Sequence, residues 1–309
     1  MSGPTTGTVG VVVMAYGTPA TPDDVEPYYT HIRRGRPPTP EQLADLRRRY
    51  DALGGTSTLA ARTADQVARL TGALEERAPG RFEVALGQKH AAPFIEDGVA
   101  DLVARGVSHV VGLVLAPHYS AFSVGQYQER VAEALEGTGV ATTPILQWHD
   151  LPAYRSFLQQ AVADGLAPLP ERTKVVFTAH SLPERVLAGD PYPDQLWGSA
   201  SAVAEAAGLD RWAGWSMAWQ SAGATPEPWR GPDILEVIRD LAETGRADAI
   251  LVCPQGFVAD HLEVAYDLDI EAQAVADEVG LAFARTRVLN DDAAVFAALA
   301  DRVLEEAPT

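Results

Sequence analysis

Glu263, Asp267 and Glu271 recur at every fourth position within Gly-Phe-Val-Ala-Asp-His-Leu-Glu-Val-Ala-Tyr-Asp-Leu-Asp-Ile-Glu, residues 256–271. On an α-helix that spacing places three carboxylates along one face. Like charges so stacked repel, so the stripe is either a solvated acidic face or a set of oxygen donors for a cation, and spacing alone leaves both readings open. Four histidines, His90, His118, His149 and His180, each follow an apolar run, whereas His31 and His109 fit an ordinary structural role. Cys253 is the only cysteine, so this chain alone can form neither an intrachain disulfide nor a thiolate zinc site. A metal held here would take nitrogen and oxygen ligands.

A second concentration of chemistry lies in residues 31–50, where Arg33, Arg34, Arg36, Arg47, Arg48 and Arg49 face only Glu41 and Asp45. Two solvated helix faces account for such a cluster taken alone. Its setting is unusual, because the whole chain carries 42 acidic against 24 basic residues and a formal charge of −18. That balance repels nucleic acid and anionic lipid over most of the surface. The Gly-x-Gly-x-x-Gly, Walker, His-Glu-x-x-His and Gly-x-Ser-x-Gly motifs are all missing, which removes support for dinucleotide, nucleotide-hydrolase, zincin and serine-hydrolase readings.

The elements that must position these residues can be read from the apolar runs. Strands are expected at Val9–Ala15, 82–87, 109–116, 145–148, 175–179, 249–254 and 281–284. Helical patterns such as Ile95–Ala104 and Ile234–Thr244 lie between them, with Gly106 and Gly245 placed as C-terminal stops. This alternation predicts parallel sheets with crossover helices, whose ligands gather at the carboxyl ends of strands. With 309 residues, of which 47% are apolar and 21% charged, two α/β lobes are expected rather than one core. The boundaries are set at 1–150 and 151–285, with a C-terminal helix in 286–309 returning to the first lobe. No stretch is long and apolar enough to span a membrane, and the N-terminus lacks a basic segment followed by an apolar one, so a cytoplasmic chain is expected.

The two halves also echo one another. Val-Val-Met-Ala-Tyr-Gly-Thr-Pro at 12–19 aligns with Val-Phe-Thr-Ala-His-Ser-Leu-Pro at 176–183, and 106–117 aligns with 245–254. Either the chain is duplicated or two βαβ units share a common grammar. Under duplication Tyr16 and His180 occupy equivalent strand ends bordering one cleft.

Met-Ala-Tyr-Gly-Thr-Pro at 14–19, Tyr-Thr-His-Ile-Arg-Arg-Gly at 29–35, Tyr50 with Gly-Gly-Thr-Ser at 54–57, and Ala-Pro-His-Tyr-Ser at 116–120 are followed by Ala-His-Ser-Leu-Pro at 179–183, Asp-Pro-Tyr-Pro-Asp-Gln at 190–195 and Asp-His-Leu-Glu at 260–263. In that order these blocks resemble those of the ferrochelatase family over nearly the whole chain. The Ala-Tyr-Gly-Thr-Pro form is similar to the Gram-positive branch that uses coproporphyrin III. The resemblance implies two Rossmann-like lobes of the class II chelatase type, each a parallel sheet flanked by helices, and insertion of ferrous iron into coproporphyrin III. It implies that His180 and Glu263 are catalytic and bind the metal, and that Tyr16 is an iron ligand on the opposite face of the porphyrin. Arg33, Arg49, Tyr50, Ser57 and Tyr127, with Tyr16, match the positions lining the porphyrin, and Asp267 and Glu271 would form a path for the metal. The chemistry suits these types: two pyrrole protons must leave as iron enters, which calls for a base and a carboxylate, and four propionates call for concentrated guanidinium groups.

No cofactor beyond the Fe2+ substrate is expected, and one cysteine excludes a cluster held by this chain alone. The implied partners are the porphyrin, ferrous iron and, by transient contact, a downstream haem-pathway enzyme; nucleic acid and stable membrane insertion are not expected, and the chain is expected to be a monomer. Ala222 and Ala265 depart from the family pattern, where a polar and a larger apolar residue are usual. The alternatives are protoporphyrin IX or another tetrapyrrole or metal as substrate, and, in a different class, a porphyrin or haem carrier without catalysis.

Overall fold

The computed structural model describes residues 7–210 and 213–308. Residues 1–6, on which the reading of the N-terminus rested, lie outside the described residues. Two compact units result, one formed by residues up to Trp148 together with those from Asn290 onward, the other by His149–Leu289; the sequence reading had set its divisions at 150 and 285.

The first unit contains strands β1 (Val9–Ala15), β2 (Phe82–Gln88), β3 (His109–Val114) and β4 (Ala141–Ile145) in the order β2-β1-β3-β4, all parallel. The second contains β5 (Thr173–His180), β6 (Trp215–Gln220), β7 (Ala249–Cys253) and β8 (Ala282–Arg285) in the order β6-β5-β7-β8, again all parallel. The orders are equivalent, and residues 12–19 and 176–183 occupy the same place in each, on β1 and β5 and the turns that follow.

Helices cover both faces of a parallel sheet, so its interior strands are apolar throughout. Accordingly every residue of β1 and of β7 is buried. Both departures from the expected strands fall at sheet edges, although the edges β2 and β8 lie where they were expected. The run at 145–148 is not a strand: β4 is Ala141–Ile145, an edge strand that is mostly exposed or half-buried and includes Pro144, which an edge tolerates. Strand β6, absent from the sequence reading, is the opposite edge of the second sheet.

The C-terminal helix Ala293–Glu306 belongs to the first unit and packs on Leu59–Arg77. Its buried residues are Val295, Phe296, Leu299, Ala300 and Val303, each worth about 1.5–3 kcal/mol for the larger side chains. Asp292 caps it, accepting from the amides of Ala294 and Val295 at 3.1 and 3.2 Å, and Arg77 and Arg69 tie the helices together through Asp301 at 2.5 Å and Asp291 at 3.1 Å.

Because each sheet is parallel, its strands deliver their last residues to one edge. In the second unit those residues are His180, Gln220 and, after Cys253, the turn through Gly256.

Candidate active site

His180 ends β5, level with Gln220 on β6. Its Nδ1–H donates to the Ser181 carbonyl at 2.5 Å, which fixes the tautomer and leaves Nε2 as the free ring nitrogen. Nε2 lies 3.5 Å from Glu263 Oε1. The other carboxylate oxygen, Oε2, lies 3.5 Å from Nε2 of His261, whose Nδ1–H donates to the Ala259 carbonyl at 3.0 Å. One carboxylate is thus flanked by two imidazoles, each presenting the nitrogen that its backbone hydrogen bond leaves bare. Phe257 packs beside both rings, with centroids 6.5 Å from His180 and 5.3 Å from His261.

Bare nitrogen lone pairs facing a carboxylate repel unless a cation or a proton stands between them. Without a bound cation it is a proton. Burial works against a charged His180, but the Glu263 carboxylate, the Ser181 carbonyl and Asp267 outweigh it and raise His180 to about 9. Burial likewise opposes an ionised Glu263, and the positive His180 with His261 overrides it, holding this carboxyl well below the ordinary range. The resting pair is imidazolium and carboxylate, not the neutral base that an unperturbed histidine would supply.

The acidic segment is not the α-helix its spacing suggested. Glu263 sits on the single turn Leu262–Val264, and the chain then winds as a π-helix over Ala265–Ala272, which carries Asp267 and Glu271. Wide turns of this kind have no composition of their own and concentrate at functional sites. Contacts from β6 and its turn hold this one. Gln220 Nε2 donates to the Glu263 carbonyl at 3.1 Å, while its Oε1 accepts from Thr178 Oγ1 at 2.9 Å. Ser221, a non-glycine residue at φ 60°, aims its hydroxyl at Asp267 Oδ2 at 2.5 Å. Such a backbone conformation is strained and persists where its surroundings enforce it. Asp267 is buried and Glu271 half-buried.

Close packing behind the pair gives a first prediction. A Cβ on Gly256 would stand 2.6 Å from the Ala179 Cβ and 2.8 Å from its Cα, directly beside His180. Gly256→Ala should cost about 1–3 kcal/mol of stability, read as a lower urea midpoint, and should depress activity further than the folded fraction explains because the end of β5 must shift.

The remaining candidates lie in the first unit. Tyr16 follows β1 and is 43% exposed, its ring 4.7 Å from that of His90. His90 and His31 share an Nδ1–Nδ1 hydrogen bond at 3.0 Å, and His31 stacks on Phe94; the sequence reading treated His31 as structural and did not foresee this pair. Burial, with help from Lys89 and His31, pushes His90 down to about 3. Lys89, donating to Gln126 at 2.8 Å over the Tyr127 ring, is lowered to about 8 by burial and by Arg130 and Arg34. Arg33 is half-buried at a helix end over Tyr29. Arg49 bonds Asp45 at 3.2 Å, Tyr50 and Tyr127 are buried, and Ser57 Oγ accepts from the Leu59 amide at 3.2 Å. Of the other strand-end histidines, His118 is buried and His149 bonds Ser199 at 3.3 Å. Sequence reasoning also missed His261, although it lies two residues before Glu263 within the Asp-His-Leu-Glu block.

Two equivalent four-stranded parallel sheets, with a histidine at the end of β5 facing a glutamate from the turn at 262–264, give the chain a fold of the class II chelatase type. The same fold occurs in SirB from Bacillus subtilis with Fe3+, at TM-score 0.57 and 15% identity over 97% of this chain and 96% of that one. It also occurs in CbiX, described as the terminal enzyme for siroheme biosynthesis in denitrifying bacteria, at TM-score 0.53 and 15% identity over 97% and 100%. The chain belongs to the ferrochelatase family, whose model matches residues 8–307. It is 45% identical to the coproporphyrin III ferrochelatase of Geobacillus kaustophilus over 305 residues, 96% of each chain. Identity to the coproporphyrin III ferrochelatase of Bacillus subtilis is 44%, covering 96% of this chain and 97% of that protein, and to the ferrochelatase of Herpetosiphon aurantiacus 45%, covering 92% and 94%.

Proposed function

We propose that this chain inserts ferrous iron into coproporphyrin III, giving iron coproporphyrin III in haem biosynthesis. The observation that carries the reading is the His180–Glu263 pair, a ring nitrogen at the end of β5 standing 3.5 Å from a carboxylate oxygen. An arriving Fe2+ competes for the same two donors and displaces that proton to solvent, since a first-row divalent ion takes imidazole nitrogen and carboxylate oxygen readily. When iron passes on to the macrocycle, the vacated Nε2 can accept one pyrrole proton, and the carboxylate can relay the other to solvent. Porphyrin and Fe2+ enter, iron porphyrin and two protons leave, and the charge balances.

Tyr16 is proposed as an oxygen ligand to the iron. Arg33, Arg49, Tyr50, Ser57 and Tyr127 are proposed to line the porphyrin, with the arginine-rich segment supplying positive charge for the propionates of a tetra-anionic substrate on an otherwise acidic chain. Asp267 and Glu271 are proposed to pass the metal toward Glu263. The enzyme is proposed to act in the cytoplasm as a monomer, with no cofactor beyond its iron substrate, and to hand its product to the next haem-pathway enzyme by transient contact. Among the described residues no helix is long and apolar enough to cross a membrane.

An anaerobic assay with Fe2+ tests the reading. Coproporphyrin III should be metallated at least about 10-fold faster than protoporphyrin IX, because each lost charged hydrogen bond to a propionate is worth roughly 1.5–3 kcal/mol. Equal rates would remove the substrate assignment, and a shifted Soret band without metallation would make the chain a carrier.

A further inference from the structure

Residues 260–271 hold five carboxylates, Asp260, Glu263, Asp267, Asp269 and Glu271. Two of them are gripped by a single cation from another element. Arg285, the last residue of β8, donates Nε to Asp269 Oδ1 at 2.5 Å and Nη2 to Asp269 Oδ2 at 2.9 Å, a planar fork on one carboxylate. The same Nη2 lies 3.1 Å from Asp260 Oδ1, and Nη1 donates to the Thr286 carbonyl at 3.2 Å. The Arg285 side chain is only 20% exposed.

The two aspartates bracket the reactive groups. Asp260 immediately precedes His261 and comes shortly before Glu263, while Asp269 lies in the π-helix just beyond Asp267. Arg285 therefore ties the entry of the segment to its middle, and Gln220 and Ser221 hold the residues between from β6. Without such ties nothing favours this winding: a π-turn is rare on its own account, and like charges spaced this closely push the segment apart.

We propose that Arg285 is a positioning residue for iron delivery, setting the place of Glu263 and His261 opposite His180 through its double hold on Asp260 and Asp269. The inference rests on the ferrochelatase reading of Glu263 and adds to it a residue that touches neither iron nor porphyrin. Its chemistry requires the guanidinium fork and not charge alone, since an ammonium cannot hold both oxygens of Asp269 in one plane and reach Asp260 as well.

The test compares Arg285→Met, Arg285→Lys, Asp269→Asn and Glu263→Gln in the anaerobic assay, each normalised to its folded fraction from urea unfolding. A displacement of about 1 Å at a reacting group can cost roughly 100-fold. R285M and D269N should accordingly lose about 10- to 100-fold in kcat/KM for Fe2+, chiefly through a raised KM for iron, with the KM for coproporphyrin III within about twofold of wild type. R285K should fall between wild type and R285M. Should R285M fail to fold, the split between the two KM values in R285K and D269N decides the matter. Equal loss for both substrates, or loss that follows the folded fraction alone, would reduce Arg285 to a structural role and overturn the proposal. Wild-type kinetics in R285K and D269N alongside an inactive E263Q would overturn it too. Wild-type turnover in E263Q would instead sink the reading of Glu263 on which the proposal stands.

Discussion

Glu263→Gln should lower ferrous iron insertion by at least about 10³-fold while leaving the binding of coproporphyrin III unchanged. The substitution keeps shape and volume, so the packing of the Leu262–Val264 turn and the Gln220 hydrogen bond to the residue 263 carbonyl both survive. What disappears is the negative charge between Nε2 of His180 and Nε2 of His261. The amide can neither hold an incoming Fe2+ with comparable strength nor accept a pyrrole proton, and a positioned acid or base alone contributes roughly 10²- to 10⁴-fold. His180→Ala should cost a similar amount, and the double variant little more, because the two side chains act as one device and their effects do not add. Anaerobic metallation followed in the visible spectrum, together with porphyrin fluorescence quenching for binding, separates the two steps. Activity in either variant within about tenfold of wild type would remove the pair from the reaction.

His180 in the iron-free protein should titrate near pH 9, and in Glu263→Gln it should titrate at or below the ordinary histidine value of about 6.5. Burial depresses a histidine, so once the carboxylate that overrides burial is neutralised the shift reverses sign. Labelled-histidine NMR reads this directly, and a wild-type value close to 6.5 would show that the pair does not hold the proton. The same shift fixes how stability depends on pH. His180 is raised in the folded state, so its contribution is fully present below about pH 6.5 and is lost as pH rises through about 9. Glu263 is lowered, so its contribution is present above the ordinary carboxylate value of about 4.3 and is lost as pH falls toward its folded value. The difference in urea midpoint between wild type and E263Q should therefore be greatest between about pH 4.3 and 6.5 and should fade toward pH 10. Iron binding must expel the same proton, so the KM for Fe2+ should fall as pH rises toward about 9.

Legibility in the sequence followed the continuity of apolar runs. Strands β1, β3, β5 and β7 lie inside their sheets, and a strand covered on both faces must be written in apolar residues, so each was visible as a run. The edges are uneven: β2 and β8 were read, whereas β4, with two threonines and a proline, was misplaced, and β6, broken by Ser216 and ending in Gln220, was overlooked. Even the internal echo of 12–19 in 176–183 was legible, because both segments run from an interior strand into the turn beyond it.

By itself the sequence determined the alternating α/β plan and the two sheets, and its resemblance to the ferrochelatase family implied the pairing of a histidine at 180 with a glutamate at 263. Only the tertiary structure decided the protonation of that pair, the π-winding of 265–272, the place of His261 and the double grip of Arg285. The reason is physical. Apolar periodicity and local turn chemistry act between neighbours in the chain and are written there, whereas a proton's affinity and a guanidinium's partners depend on charges brought close from distant positions. His180 and Glu263 meet across 3.5 Å though separated by most of the second unit's length. Residue types can propose such a meeting, but its electrostatic consequence exists only once the chain has closed around it.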